Sequence, residues 1–321
     1  MRILAVGVVI LMLSVAFCSP AFSAGKTVIP VYTPGVGGSA YLIGGAMASV
    51  LNKYVPEVQM MVEATGGTAV MVKYIAEKAE KNQPAFGIPE SRGVYMAYSG
   101  KPPFTQALTT LRALTFVHSS GLPLLVLKDS PIKYYYDLKG KRVGVGAAGS
   151  GLAQISATLL EAYGLTPSLY KPLWLGHNEV TEGLKDGSID AGFISGAHAI
   201  PAVQQLAFEK DIRIIPVDED VLKKIFQTSS YFFKDVIRPG TYKGITAEIP
   251  SLGFGTILAT HSNVDQALVY KITKTLYERR DELIAIAPYA RDMTLKNAMA
   301  TIAFPLHPGA AQYYKEVGAM K

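Results

Sequence analysis

The sequence predicts an α/β protein of two lobes around a central cleft, and three observations carry that expectation. Short apolar strands alternate with amphipathic helices through most of the chain, the cadence of βαβ units with parallel pairing. The alternation is interrupted near Leu111–Leu127 and then restarts, as it would on entering a second lobe. A late apolar run, Leu252–Ala259, reads as a strand that returns to the first lobe.

The elements follow in order. Val28–Tyr32 is a strand, and Tyr41–Tyr54 a helix whose Gly44, Gly45, Ala46 and Ala48 allow close packing. Val58–Val62 is the next strand. Thr68–Lys81 follows as a helix, with Val72, Ile75, Ala76 and Ala79 at helical spacing and Lys73, Glu77 and Glu80 facing water. Ala85–Ile88 is a third strand, leading into the helix Arg92–Ser99, which Gly100-Lys101-Pro102-Pro103 ends. Leu111–Val117 and Leu122–Leu127 form the crossover. Beyond it come strand Arg142–Val145, helix Leu152–Tyr163, helix Asn178–Lys185, strand Ile189–Ile194, helix Ala199–Phe208 and strand Ile212–Val217. Asp265–Leu283 reads as one long amphipathic helix and Pro308–Val317 as the last, with Pro308 suited to a first turn.

The amino terminus predicts export. Met1-Arg2 is basic, Ile3–Phe17 is apolar but shorter than the roughly 20 residues of a membrane span, and Ala21–Ala24 supplies small residues for cleavage. The expected division is therefore 1–24 signal peptide, 25–117 plus 246–321 first lobe, and 118–245 second lobe. Cys18 is the sole cysteine. Removing it with the leader would exclude disulfides, thiol catalysis and cysteine metal sites, which suits a periplasm. The net charge of +6 is dispersed, with no basic block interleaved with aromatics. Nucleic-acid binding is therefore not expected.

One local device repeats. A strand runs into a loop of Gly, Ser and Thr that opens a helix, at Thr33–Ser39, Thr65-Gly66-Gly67-Thr68, Gly146–Gly151 and Ser195-Gly196. None of these loops holds an Asp or Glu. Such loops bring the backbone close to a ligand and aim free N–H groups at it, with the helix dipole favouring negative charge. Several of them in an exported protein point to a receptor for a small acidic solute.

Catalytic and cofactor signals are weak beside this. Gly144-Val145-Gly146-Ala147-Ala148-Gly149 matches the dinucleotide fingerprint, but Ala162–Asn178 lacks the acid that would hold a ribose. Ser150 lacks the flanking glycines of a nucleophile elbow, since Ala148 and Leu152 stand there. His118, His177, His198, His261 and His307 show no metal-ligand pairing. The expectation is no enzyme, no metal and no cofactor. Glu90-Ser91-Arg92 lies at the lip of the cleft. It reads either as a surface ion pair or helix cap, or as Arg92 gripping a ligand carboxylate with Glu90 orienting Arg92 or accepting from an ammonium or hydroxyl.

An ordered set of segments resembles a known family. Gly35–Tyr41 with Gly44, Thr65–Thr68, Asp137–Val143, Gly149-Ser150-Gly151, Leu184–Ala191, Pro239–Tyr242 and Leu306–Ala310 together resemble the TAXI class of solute-binding proteins, which serve TRAP (tripartite ATP-independent periplasmic) transporters. The resemblance implies a two-lobed periplasmic-binding-protein fold, type II-like, with a central cleft and hinge. It also implies a monomeric periplasmic receptor that hands a dicarboxylate, 2-oxoacid or acidic amino acid to membrane permease subunits. Carried over by position, the binding set is Gly38, Ser39, Tyr41, Thr65, Gly67, Thr68, Glu90, Arg92, Ser150 and Gly151. The chain departs from the family in two places. The family has Gln-x-Asp where this chain has Glu90-Ser91-Arg92, and Asn where this chain has Met71. The first departure suggests that Arg92 favours a ligand with an extra carboxylate and no ammonium. A binding protein of an ABC importer and a sensor presenting its closed form to a histidine kinase remain open as alternatives.

Overall fold

The computed structural model describes residues 26–35 and 39–321. The expected signal peptide, 1–24, and Gly38 of the first loop lie outside the described residues.

Two sheets organise the chain. The first is built from β1 (Thr27–Thr33), β2 (Val58–Ala64), β3 (Phe86–Gly87), β4 (Leu111–Gly121), β10 (Phe232–Ile237) and β11 (Ile249–His261), in the order β10-β11-β3-β1-β2 with β4 paired to β11. The second orders β7 (Lys171–Leu173), β6 (Arg142–Gly144), β8 (Ala191–Phe193), β5 (Leu124–Leu127) and β9 (Ile212–Ile215). The α/β expectation with two lobes holds. The expectation of mainly parallel pairing needs correcting, because both sheets are mixed. β1 is parallel to β2 and β3, and β6 to β7 and β8, but every pair made by β5 or β11 is antiparallel. The crossover and return strands cause this: each enters its sheet against the direction of the βαβ units.

Helices cover the sheets because their apolar stripes have nowhere else to go. In the first lobe, α1 (Ser39–Tyr54) packs Ile43, Met47, Val50 and Leu51 onto Ile29, Val31 and Met60, while α8 (Gln266–Glu278) adds Val269, Ile272 and Leu276 to the same core. α2 (Thr68–Glu80) and α3 (Ser91–Tyr98) fill a second cluster through Met71, Val72, Ile75, Val94 and Ala97. In the second lobe, α4 (Gly151–Ala162) and α7 (Glu219–Thr228) bury Ile155, Leu159, Leu222 and Ile225, and α5 (His177–Asp186) and α6 (Pro201–Glu209) bury Val180, Leu184, Val203 and Leu206. In the run Tyr134-Tyr135-Tyr136, the central Tyr135 is buried and stacked on Tyr163 at 4.4 Å, where it serves packing.

The expected single helix Asp265–Leu283 is two, α8 and α9 (Arg280–Ile286), broken at Arg279. The break turns α9 so that Leu283 still reaches the first core. α7, β7 and β10 were not anticipated. β10 hydrogen-bonds along β11 from Ile249 to Phe254 within the first sheet, yet Phe232, Leu252 and Phe254 pack into a core of the second lobe. The long strands β4 and β11 thus run through both lobes and form the hinge between them. No helix among the described residues is long and apolar enough to cross a membrane. The last helix, α10 (Pro308–Glu316), starts as expected at Pro308, where His307 accepts from the Gly309 N–H at 3.2 Å.

Candidate functional site

Between the lobes lies a cavity of about 410 Å³, and residues from both lobes line it. From the first come Pro34, Gly35, Ser39, Ala40, Thr65–Thr68, Ile88, Glu90 and Thr256; from the second come Ser150, Gly151, Leu152, Ile155, His177, Ser195 and Gly196. Ser120 of β4 and Phe254 of β11 lie opposite one another on the strand pair that joins the lobes. A wider opening of about 650 Å³ shares Ser39, His177, Ser195 and Gly196 with it and extends toward α5, α6 and Tyr289. The two form one continuous cleft.

Helix starts define its wall. Gly67 precedes α2 with φ of 114°, a left-handed geometry that glycine accepts without strain. The bond from the Thr65 hydroxyl to the Thr33 carbonyl at 2.9 Å ties this loop to the end of β1. The N–H groups of Thr68, Ala69 and Val70 have no acceptor among the described residues, as expected of a first turn. On the opposite side, Gly146 (φ 104°) and Gly149 (φ 73°) bend the chain between β6 and α4. Ser150 caps α4: its hydroxyl accepts from the Ala153 N–H at 3.1 Å, leaving the Gly151 and Leu152 N–H groups open. α5 begins at His177, with the Glu179 carboxylate folded back onto the Gly176 N–H at 2.6 Å. Neither α2 nor α4 carries an acid in its first turn.

Glu90 precedes α3 and caps it, Oε1 accepting from the Gly93 N–H at 2.7 Å. The Thr68 hydroxyl in turn accepts from the Glu90 N–H at 3.2 Å, which joins the starts of α2 and α3. Glu90 Oε2 is buried with no partner among the described residues. Burial pushes this carboxyl up to about 7; the Arg92 guanidinium and the N–H groups of Gly93 and Arg92 pull the other way. Burial likewise pushes the His177 and His118 imidazoles down, so that both favour the neutral form.

Of the ten residues carried over by resemblance, Ser39, Thr65, Gly67, Thr68, Glu90, Ser150 and Gly151 line the cavity, and Gly38 lies outside the described residues. Tyr41 and Arg92 are not among the lining residues. Arg92 is 9% exposed and its Nη1 donates to Gln154 Oε1 at 2.9 Å, bridging α3 and α4 across the lobes. Next to that bridge, Tyr95 pairs with Tyr231 at a ring separation of 5.4 Å. The Glu90–Arg92 segment is thus both a helix cap and a contact between lobes.

Sequence reasoning missed His177, Ser120, Thr256 and Phe254. His177 follows the same device as the others: β7 ends at Leu173 and Gly176 opens α5. That signal was readable, though β7 is only three residues long and contains Pro172. Ser120, Thr256 and Phe254 reach the cavity only through the pairing of β4 with β11, which sets Ser120 opposite Phe254. No local pattern announces that.

Residues 31–318 match the NMT1-like family. The chain belongs to that family. Among solved structures it is similar to a TctC solute-binding protein from Polaromonas, at 15% identity over 82% of this chain and 88% of that one, with a TM-score of 0.51. A putative L-cystine ABC transporter protein from Listeria monocytogenes gives 13% identity, 84% and 98% coverage and a TM-score of 0.51. XAC2383 from Xanthomonas citri, solved with ATP bound, gives 13% identity, 92% and 96% coverage and a TM-score of 0.52. At these identities the likeness concerns architecture, and it is the two-lobed periplasmic-binding-protein fold that this NMT1-like chain adopts.

Proposed function

We propose that this NMT1-like protein is a non-catalytic periplasmic receptor that closes on a small organic anion and delivers it to a TRAP-type permease. One observation carries the reading: the open amides of α2 and α4, drawn from opposite lobes, share one cleft. Helix starts left without acids favour negative charge. Ser39, Thr65, Gly67, Thr68, Ser150 and Gly151 are the proposed ligand contacts, with Glu90 beside them. Arg92 is proposed to act on closure through Gln154 rather than as a direct grip on ligand. The net charge of +6 helps attract anions from solution. Export through a cleaved leader, and the expected division into lobes 25–117 plus 246–321 and 118–245, belong to the same proposal.

Thermal shifts of the purified protein against dicarboxylates, 2-oxoacids, amino acids and aromatic acids test it. A true ligand at about 100 times its Kd should add about 2.7 kcal/mol, a rise of several degrees in Tm. Stabilisation by nucleosides or sugars, with no response to any acid, would overturn the reading. A neighbouring gene for a long multi-span permease supports TRAP delivery. A neighbouring ATPase gene would point instead to an ABC importer, and a kinase gene without a permease to a sensor.

A further inference from the structure

Glu90 is the odd member of its cavity. The other polar groups around it are mostly donors: the amides at the starts of α2 and α4 and the hydroxyls of Ser39, Ser120 and Thr256. Among the described residues no Lys or Arg lines this cavity, and Glu90 is its one acid. Ile88, Leu152, Ile155 and Phe254 supply an apolar surround. Oε1 is committed to the Gly93 N–H, while Oε2 is buried and unpartnered. A β-carbon built at Gly151 would stand 3.4 Å from Glu90 Cγ and 3.5 Å from Oε1. The carboxyl therefore lies against the α4 start, where the anion of a ligand is expected.

An ionised Glu90 and a ligand carboxylate there would be like charges sharing one desolvated space, which disfavours ionising both. A neutral Glu90 removes that conflict and converts Oε2 into one more donor. We propose that Glu90 acts in ligand capture as the neutral acid, taking a proton from solvent as the carboxylate binds wherever the empty cleft leaves it ionised. The ligand class that fits is a carboxylic acid with no ammonium group beside the captured end. This rests on the anion-receptor reading and specifies the chemistry of that same site.

The proton comes from solvent. Oε2 gains an O–H bond and donates it to a ligand oxygen, and no covalent bond to ligand forms or breaks. The titratable groups that face Glu90 are few. Arg92 on its own helix opposes protonation. His177 of α5 and His118, which β4 sets beside Thr256, are both held toward neutrality by burial. The lining positions from α1, α2, α4 and β11 carry no titratable side chain. The carboxyl of the empty cleft already sits at about 7, and a ligand anion raises it further. Affinity is then level below that value and falls as pH rises above it, by up to about tenfold per pH unit, until the bound-state value is passed.

The test is calorimetric titration with succinate, 2-oxoglutarate, benzoate and L-glutamate at about pH 6 and about pH 8.5, in buffers of different ionisation enthalpy. The expected result is tighter binding of an ammonium-free acid at the lower pH, with close to one proton taken up per ligand at the higher. Glu90→Gln, a fixed mimic of the neutral acid, should bind the same probe with no pH dependence and no proton uptake. Binding by the wild type at about pH 8.5 without proton uptake would overturn this inference and leave the receptor reading standing, and it needs no variant to fold. Preference for L-glutamate, abolished by Glu90→Gln, would also overturn it by making Glu90 an ionised partner of an ammonium. No response to any acid at either pH would overturn the receptor reading itself.

Discussion

The helix starts at the cleft and those on the outside of the molecule are built differently. α8 begins on Asp265, whose carboxylate accepts from the Leu268 N–H at 2.8 Å, and α7 carries Glu219 and Asp220 in its first turn. These ends satisfy their own dipoles with their own acids. At the cleft, α2 and α4 have Gly67 and Ser150 before them and no acid in the first turn. α5 stands between the two designs, because Glu179 is present but folded back on Gly176. The outer ends of α7 and α8 carry their own acids, whereas the cleft ends of α2 and α4 leave their amides for something that is not part of the chain.

The comparison can be broken most forcefully at α4. Gly151→Asp would place a carboxylate at that helix start and against Glu90, making the cleft end resemble an outer one. Acid binding should fall by about 100-fold or more, at about 1.4 kcal/mol per factor of ten, as read by titration calorimetry. Unchanged affinity would mean that the α4 amides do not face the ligand. A smaller effect is expected at Gly93, where an added β-carbon would press on Thr68 Cγ2 and Glu90 Oε1. Gly93→Ala should cost about 1–3 kcal/mol of stability as overpacking, measured by urea unfolding, and weaken binding by disturbing both α2 and α3. The mildest change sharpens the contrast from the other side. Asp265→Ala should cost about 1 kcal/mol through the lost cap and leave ligand affinity as it was; a loss of affinity there would dissolve the distinction between inner and outer ends.

The strand–glycine–helix device was legible because its chemistry is local. A loop that needs positive φ at Gly67, Gly146 and Gly149 advertises itself in the sequence, and the apolar stripes of α1, α2 and α4 fix the faces that pack. Where tertiary pairing decides, the sequence is mute. β10 sets Lys234 and Asp235 in the middle of an apolar run, a pattern neither alternating nor continuous, yet it forms a full ladder with β11. Asp235 is buried there and accepts from or pairs with His198 at 2.6 Å, a partner distant in sequence. At Glu90-Ser91-Arg92 the residues drew attention correctly, but which of them would face the cavity depended on the start of α3. Glu90 and Arg92 are about half a helical turn apart, which carries Arg92 to Gln154 and leaves Glu90 on the wall.

The ladder between β4 and β11 slips in register between Thr256 and Ile257 and again between Leu258 and Ala259. Such irregularities bend a paired ribbon and increase its local twist. Thr256 bridges to Glu90, and the Ile257 N–H donates to the Pro89 carbonyl at 3.0 Å. The bent point of the ribbon is therefore stitched directly to the floor of the cleft. In the receptor proposed above, a guest pressing on that floor would press at the fulcrum, so that the swing of one lobe against the other and the filling of the space between them would be a single mechanical event.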